Sequence, residues 1–212
     1  MQNKRVIAVM PMDVEVYKVS AGGVRELVDG FSAEANVNIK SAVNEIIRDK
    51  RKYQLKYFPE PQNIKDAKTK QLVKDTAVLF NTVDFSIFLH TYKNASMLHP
   101  MQGVFEDKLK NFDYSLGSQV FPLSAYADAD LLLFIKGGDS LSSGGRIALM
   151  VWAALMGFTP ASAGPPHLSC ALVDPETGDI LWYNFLCPGE GYNFRNKKSV
   201  EQFVSILLKD FP

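Results

Sequence analysis

The stretch Gly137-Gly-Asp-Ser-Leu-Ser-Ser-Gly-Gly-Arg146 holds the residues best suited to grip a small ligand. Asp139, Ser142, Ser143 and Arg146 supply a carboxylate, two hydroxyls and a guanidinium. Gly144 and Gly145 would sit at the start of a helix, where unpaired backbone N–H groups attract anions. The stretch follows an aliphatic run, Asp130–Lys136, and precedes an apolar helical pattern, Arg146–Gly157. A strand-to-helix connection of this kind is where open α/β sheets commonly bind ligands. That chemistry offers one alternative for the chain, a small-ligand or anion-binding module or an enzyme using residues 137–146, but not a P-loop nucleotide hydrolase. The lysine of G-x-x-x-x-G-K-[ST] is missing, and the glycines do not follow G-x-G-x-x-G. The structural alternative is a polar loop whose glycines make a tight turn and let the helix approach the sheet.

Other reactive groups form no constellation. His90, His99 and His167 share no i, i+4 spacing and have no adjoining cysteine or paired carboxylate, as zinc or nucleophile chemistry would need. No G-x-S-x-G elbow is present. Asp128 with Asp130, and Asp174 with Glu176, flank strands and turns, as ordinary turn residues do. The expectation is a chain with no catalytic residues, no metal and no cofactor. Cys170 and Cys187 form no C-x-x-C pair. Both fall on the strands of one hairpin, about four residues out of register, so two free and mostly buried thiols are expected.

Partners can be narrowed by charge. Lysines and arginines number 23 and acids 23, so no global field draws the chain to nucleic acid or an anionic membrane. The segments 48–56 and 65–74 are locally basic, with Tyr53, Tyr57 and Phe58 interleaved. That leaves a single-stranded nucleic-acid binder as an alternative, although the alternation equally fits a strand with one solvated face. Trp182 and Tyr183 on a hairpin strand, and the Gly22-Gly23 turn, are candidates for a protein interface.

These groups need a scaffold. Hydrophobic residues make up 47% of the 212-residue chain, enough for a buried core, and one domain over residues 1–212 is the simplest organisation. Arg5–Met10 and Asp130–Lys136 read as buried strands, and Met12–Val19 and Tyr53–Phe58 as alternating ones. Ala33–Lys50, capped by Ser32, is the clearest helix. Asn63–Tyr92 is helical at first, with Val83–Leu89 either a second helix or a strand. Asn94–Gly103 reads as a loop. Ser115–Asp128 reads as a short helix, with Pro122 confined to its first turn. Gly137–Gly145 reads as a loop and Arg146–Gly157 as a buried helix. Leu168–Val173 and Ile180–Leu186 form a hairpin around Asp174–Asp179, and Ser199 caps a last helix over Val200–Lys209. The fold class is α/β with an α+β tendency: a mixed sheet with helices packed on it, and a C-terminal antiparallel hairpin followed by a helix. Val6–Met10 is too brief for a signal peptide, and Ile147–Phe158, at roughly 12 residues, falls short of the ~20 that span a bilayer.

Three stretches resemble a family of uncharacterised bacterial lipoproteins. They are Arg5–Gly23, the half from Ala129-Asp130 through Ser143-Gly-Gly-Arg146 to Ala171-Leu-Val-Asp-Pro-Glu-Thr-Gly-Asp-Ile-Leu-Trp182, and Leu208–Pro212. The order of elements is also similar to the periplasmic α/β domains of the curli-secretion lipoprotein and of the amino-terminal part of TolB. The resemblance implies a non-enzymatic domain in the periplasm, working through protein contacts or self-association in envelope assembly or transport. It also implies an outer-membrane lipid anchor. A lipobox cysteine does not occur near Met1, so that anchor would lie outside this chain.

Overall fold

A computed structural model describes residues 4–50, 52–91, 112–158, 163–189 and 191–212. In chain order its strands are β1 (Arg5–Val9), β2 (Asp13–Val19), β3 (Arg25–Leu27), β4 (Tyr53–Tyr57), β5 (Leu131–Ser142), β6 (His167–Val173) and β7 (Ile180–Leu186). The helices are α1 (Asp29–Asp49), α2 (Ala67–Thr91), α3 (Phe121–Ala127), α4 (Gly144–Leu155) and α5 (Lys197–Leu207). The strands form one mixed sheet centred on β5. β1 pairs parallel with Leu131–Leu133 and β2 parallel with Lys136–Ser142. β6 runs antiparallel along Leu132–Gly138. A strand has only two edges, so β1 and β2 lie end to end along one edge of β5, parted at Pro11, while β6 takes the other.

Strand alternation sends the apolar residues to two cores. Ile7, Val9, Val14, Leu131, Leu133, Cys170 and Leu172 meet α1 and α5 on one face. Ala8, Leu132, Phe134, Ala171 and Tyr183 meet α2 and α3 on the other. Helix α1 buries Ala35, Ile39, Ala42, Val43 and Ile47, the stripe its sequence spacing predicts. The hairpin of β6 and β7 also forms as expected, with Gly178 at φ 80° as its left-handed residue.

Several expectations need correction. Helix α1 begins at Asp29, and Ser32 lies within it: its Oγ accepts a bond from Val16 N–H (2.9 Å) and donates to the Val28 carbonyl. Asn196, not Ser199, caps α5 by accepting from Ser199 N–H. Val83–Leu89 belongs to the single helix α2. The short strand β3 escaped the pattern because no residue in it is buried. The expected loop at Asn94–Gly103 lies outside the described residues.

Two corrections matter more. Most of the supposed loop, Gly137–Ser142, is strand, flanked by β2 and β6. And α4 is not buried: none of its residues falls in either core, and Trp152 and Leu155 are 59% and 80% exposed. Among the described residues no helix is long and apolar enough to cross a membrane.

Gly137 shows why glycine stands in a central strand. A Cβ there would lie 2.0 Å from the His167 carbonyl oxygen and 2.9 Å from Leu168 Cα. The β5–β6 contact therefore closes only over a bare backbone. Gly137→Ala should destabilise the chain by about 3 kcal/mol in urea unfolding. Gly144→Ala, with no atom within 4 Å of the added methyl, should be neutral or slightly stabilising.

Candidate functional site

The residues of 137–146 do not form one site. Asp139 points to the face shared with α1 and α5, is 3% exposed, and accepts N–H bonds from Phe194 (3.0 Å) and Ser140 (2.7 Å). Burial raises its pKa above the usual carboxylate value, against those two bonds and the nearby Arg195. Its place is structural: it holds the loop ahead of α5 against the sheet. Ser142 lies near Met150, its Oγ 3.9 Å from the sulfur. Ser143 caps α4, accepting from Arg146 N–H at 3.2 Å.

The remaining candidates come together at one corner. Arg146 reaches across to the β2–β3 turn, where Nη1 donates to the Ser20 carbonyl at 3.4 Å. A Cβ on Gly23 would lie 4.0 Å from that nitrogen, and one on Gly145 would lie 3.8 Å from Ala21 Cβ. Ser143 N–H also donates to the Val19 carbonyl. Gly23, Gly145 and Arg146 thus meet where the first turn of α4 is fixed to the β2–β3 hairpin, while Gly22 and Gly144 adjoin them in the chain without a contact across the corner. The other interface candidates lie elsewhere. Tyr183 is buried and donates to Asp84 Oδ1 at 2.7 Å. Trp182 is half-buried, edge-on to Phe211 at 5.0 Å.

In the basic segments the aromatic rings serve the fold. Tyr53 packs edge-on to Phe211, Phe58 is buried, and the Tyr57 hydroxyl donates to the Lys40 carbonyl. Lys56 pairs with Asp128 at 2.8 Å. No ladder of rings is left open for bases to stack on. Among the described residues no three His, Cys, Asp or Glu groups converge as a metal site would require.

Sequence reasoning missed a cavity of about 390 Å³ on the α2 face of the sheet. Phe85 and Phe88 of α2 and Phe185 of β7 line it, Phe88 edge-on to Phe185 at 5.3 Å, and Lys136, Asp84 and Arg25 bring charge to its wall. The only hint was negative: Lys136 ends an otherwise apolar strand run. His167 also lines the cavity, with one side open to solvent. Its surroundings still withdraw water from the ring and hold its pKa below the ordinary imidazole value, opposed by the Pro165 carbonyl 3.3 Å from Nδ1.

No known family profile and no curated protein matches the chain. Similar solved structures include the LpoB C-terminal domain from Escherichia coli, at 13% identity over 88% of this chain and 83% of that one, with a TM-score of 0.33. The same domain from Salmonella enterica aligns at 10% identity over 87% and 82%, with a TM-score of 0.32. Lipoprotein GNA1162 from Neisseria meningitidis aligns at 15% identity over 97% and 95%, also at 0.32. Likenesses at this level leave fold and function to be argued from the chain itself.

Two measurements test this geometry. Because Asp139 titrates above its unfolded value, between the two pKa values the folded chain holds a proton that the unfolded chain has released. Stability must therefore fall as pH rises through that window. The wild-type unfolding free energy, taken relative to Asp139→Asn, should decline from the normal carboxylate range upward and then level off. The second concerns the thiols, which are unbridged. One step beyond the Leu168–Leu186 pair, Cys187 falls opposite His167, three positions from Cys170. Burial pushes both thiols up, Cys170 far more. Native maleimide labelling should modify Cys187 first, with Cys170 reacting only on unfolding.

Proposed function

We propose that this chain is a non-enzymatic protein-contact domain of the bacterial envelope, and that helix α4 is its contact surface. The observation that carries this is the exposure of α4. Arg146, Met150 and Ala153 form its only half-buried stripe. Ile147, Leu149, Val151, Trp152 and Leu155 stand in solvent. No charged residue occurs from Ile147 to Pro166. A contiguous apolar face of this kind is costly to leave wet and marks an interaction surface.

The occupant is a second copy of this chain. An uncharged face needs an apolar partner, and α4 is complementary to itself. In a two-fold antiparallel pairing centred on Val151, Ala148 falls opposite Ala154 and Ile147 opposite Leu155. Small residues then meet small ones, and the helices can approach closely. The chain's formal net charge of zero sets no long-range repulsion between copies. The envelope setting and lipid anchoring rest on the resemblance carried by Arg5–Gly23 and Ala129–Trp182.

Sedimentation velocity over a concentration series should show reversible self-association. Val151→Glu with Leu155→Glu should abolish it while leaving the thermal midpoint within a few degrees. A wild-type chain monomeric at every concentration overturns the proposed occupant. Binding to phosphatidylglycerol-containing vesicles without self-association would assign α4 to lipid instead. Fractionation of cells making the native gene should recover the protein with the envelope, and cytoplasmic recovery overturns the compartment.

A further inference from the structure

The cavity beneath α2 combines an aromatic slot with an unbalanced set of charges. Phe88 and Phe185 meet edge-on at 5.3 Å, and Phe85 stands 59% exposed at the rim. Opposite them, Lys136 and Arg25 bring two positive charges and Asp84 one negative charge. Asp84 is already engaged, accepting the Tyr183 hydroxyl at 2.7 Å. Its other oxygen is 3.7 Å from Lys136 Nζ, longer than a hydrogen bond. Among the described residues this is the only ionic partner of Lys136, whose side chain is 30% exposed. Among the described residues no acceptor lies close enough to direct its three N–H donors. Arg25 is held differently: Nη2 donates to Ser140 Oγ at 2.9 Å, and the guanidinium lies 4.6 Å from the centre of the Tyr17 ring. Both groups that position it are neutral, and Glu15, the acid bonded to the Tyr17 hydroxyl, is not among the residues lining the cavity.

We propose that this cavity binds an amphiphilic monoanion, an apolar acyl or aromatic body bearing one carboxylate. The body packs in the cavity against Phe85 and the joined rings of Phe88 and Phe185, and the carboxylate takes the ammonium of Lys136, with Arg25 adding long-range attraction. One unit of negative charge matches the excess of one positive charge in the wall. The low-dielectric aromatic surround strengthens a charge-assisted bond that water would weaken. This is the usual composition of a small-molecule site: a mostly apolar cavity with a few polar groups that fix orientation. It is independent of the contact role of α4.

The test is calorimetric titration of the full chain with decanoate and with decanol, both below their aggregation limits. Decanoate should bind saturably with one site, and decanol about tenfold more weakly, the loss of one charge-assisted bond. Lys136→Gln should bring decanoate down to the level of decanol. Phe185→Ala should weaken both, and Trp152→Ser, on α4, should leave both unchanged. Far-UV circular dichroism confirms that each variant is folded. If Lys136→Gln unfolds, Arg25→Gln on the edge strand serves instead and should reduce the preference for decanoate. Equal binding of the two ligands to wild type, or no saturable binding, overturns the proposal. So does a loss confined to Trp152→Ser, which would place the binding on the exposed helix.

Discussion

The structure depends on the pairing of β5 along both its edges. Its 12 residues carry β1 and β2 in succession on one edge and β6 on the other. Everything that packs on the sheet takes its position from this strand. Leu131, Leu133 and Ile135 set the face that receives α1 and α5, and Leu132 and Phe134 set the face that receives α2. The narrowest point is at Gly137, where β6 comes so close that no side chain fits. A strand paired on both sides also explains why β1 and β2 are separate. Pro11 has no N–H for a ladder bond, so the chain breaks register there and resumes beside Lys136.

That pairing makes α4 an insertion. β5 and β6 are antiparallel neighbours, and such strands can be joined by a few residues. Here residues 143–166 intervene, and their helix touches the body mainly through its first turn and the stripe of Arg146, Met150 and Ala153. The fold does not require this segment to close the sheet. Among the described residues its apolar surface is consumed by neither core, and only the stripe of Arg146, Met150 and Ala153 is half-covered. This is the physical reason to assign the contact role to α4 rather than to the hairpin aromatics, which the two cores already use.

Much of the scaffold was legible in the sequence because periodicity and burial agree there. Val14 and Val16 alternate inward in β2, and the α1 stripe is the one its spacing predicts. Where the reading failed, a long-range partner had overruled a local signal. Gly-Gly-Asp-Ser is composed as a loop, but two flanking strands satisfy its backbone and make it sheet. The α4 sequence is composed as a buried helix, and nothing local reveals that it lies outside both cores formed by the described residues. The corner of Gly22, Gly23 and Arg146 brings together two candidates that the sequence held apart by more than a hundred positions. The cavity was not legible at all, because Phe88, Lys136 and Phe185 become neighbours only when α2 crosses the sheet.

The split of the glycine-rich stretch follows from the same geometry. In a loop, Asp139, Ser142, Ser143 and Arg146 could converge on one anion. In a strand of period two, neighbours must diverge. Asp139 turns toward α1 and α5, where it is enclosed and ties down Phe194. Ser140, the next residue, turns toward α2 and holds Arg25 at the cavity. One dipeptide therefore serves both faces, a buried structural carboxylate on one and a positioning hydroxyl on the other. Arg25 lies two residues from Gly23, which abuts Arg146, so the β2–β3 hairpin joins the cavity wall to the base of α4. The glycines divide in the same way: Gly137 serves the close approach of β6 to β5, whereas Gly144 and Gly145 open α4.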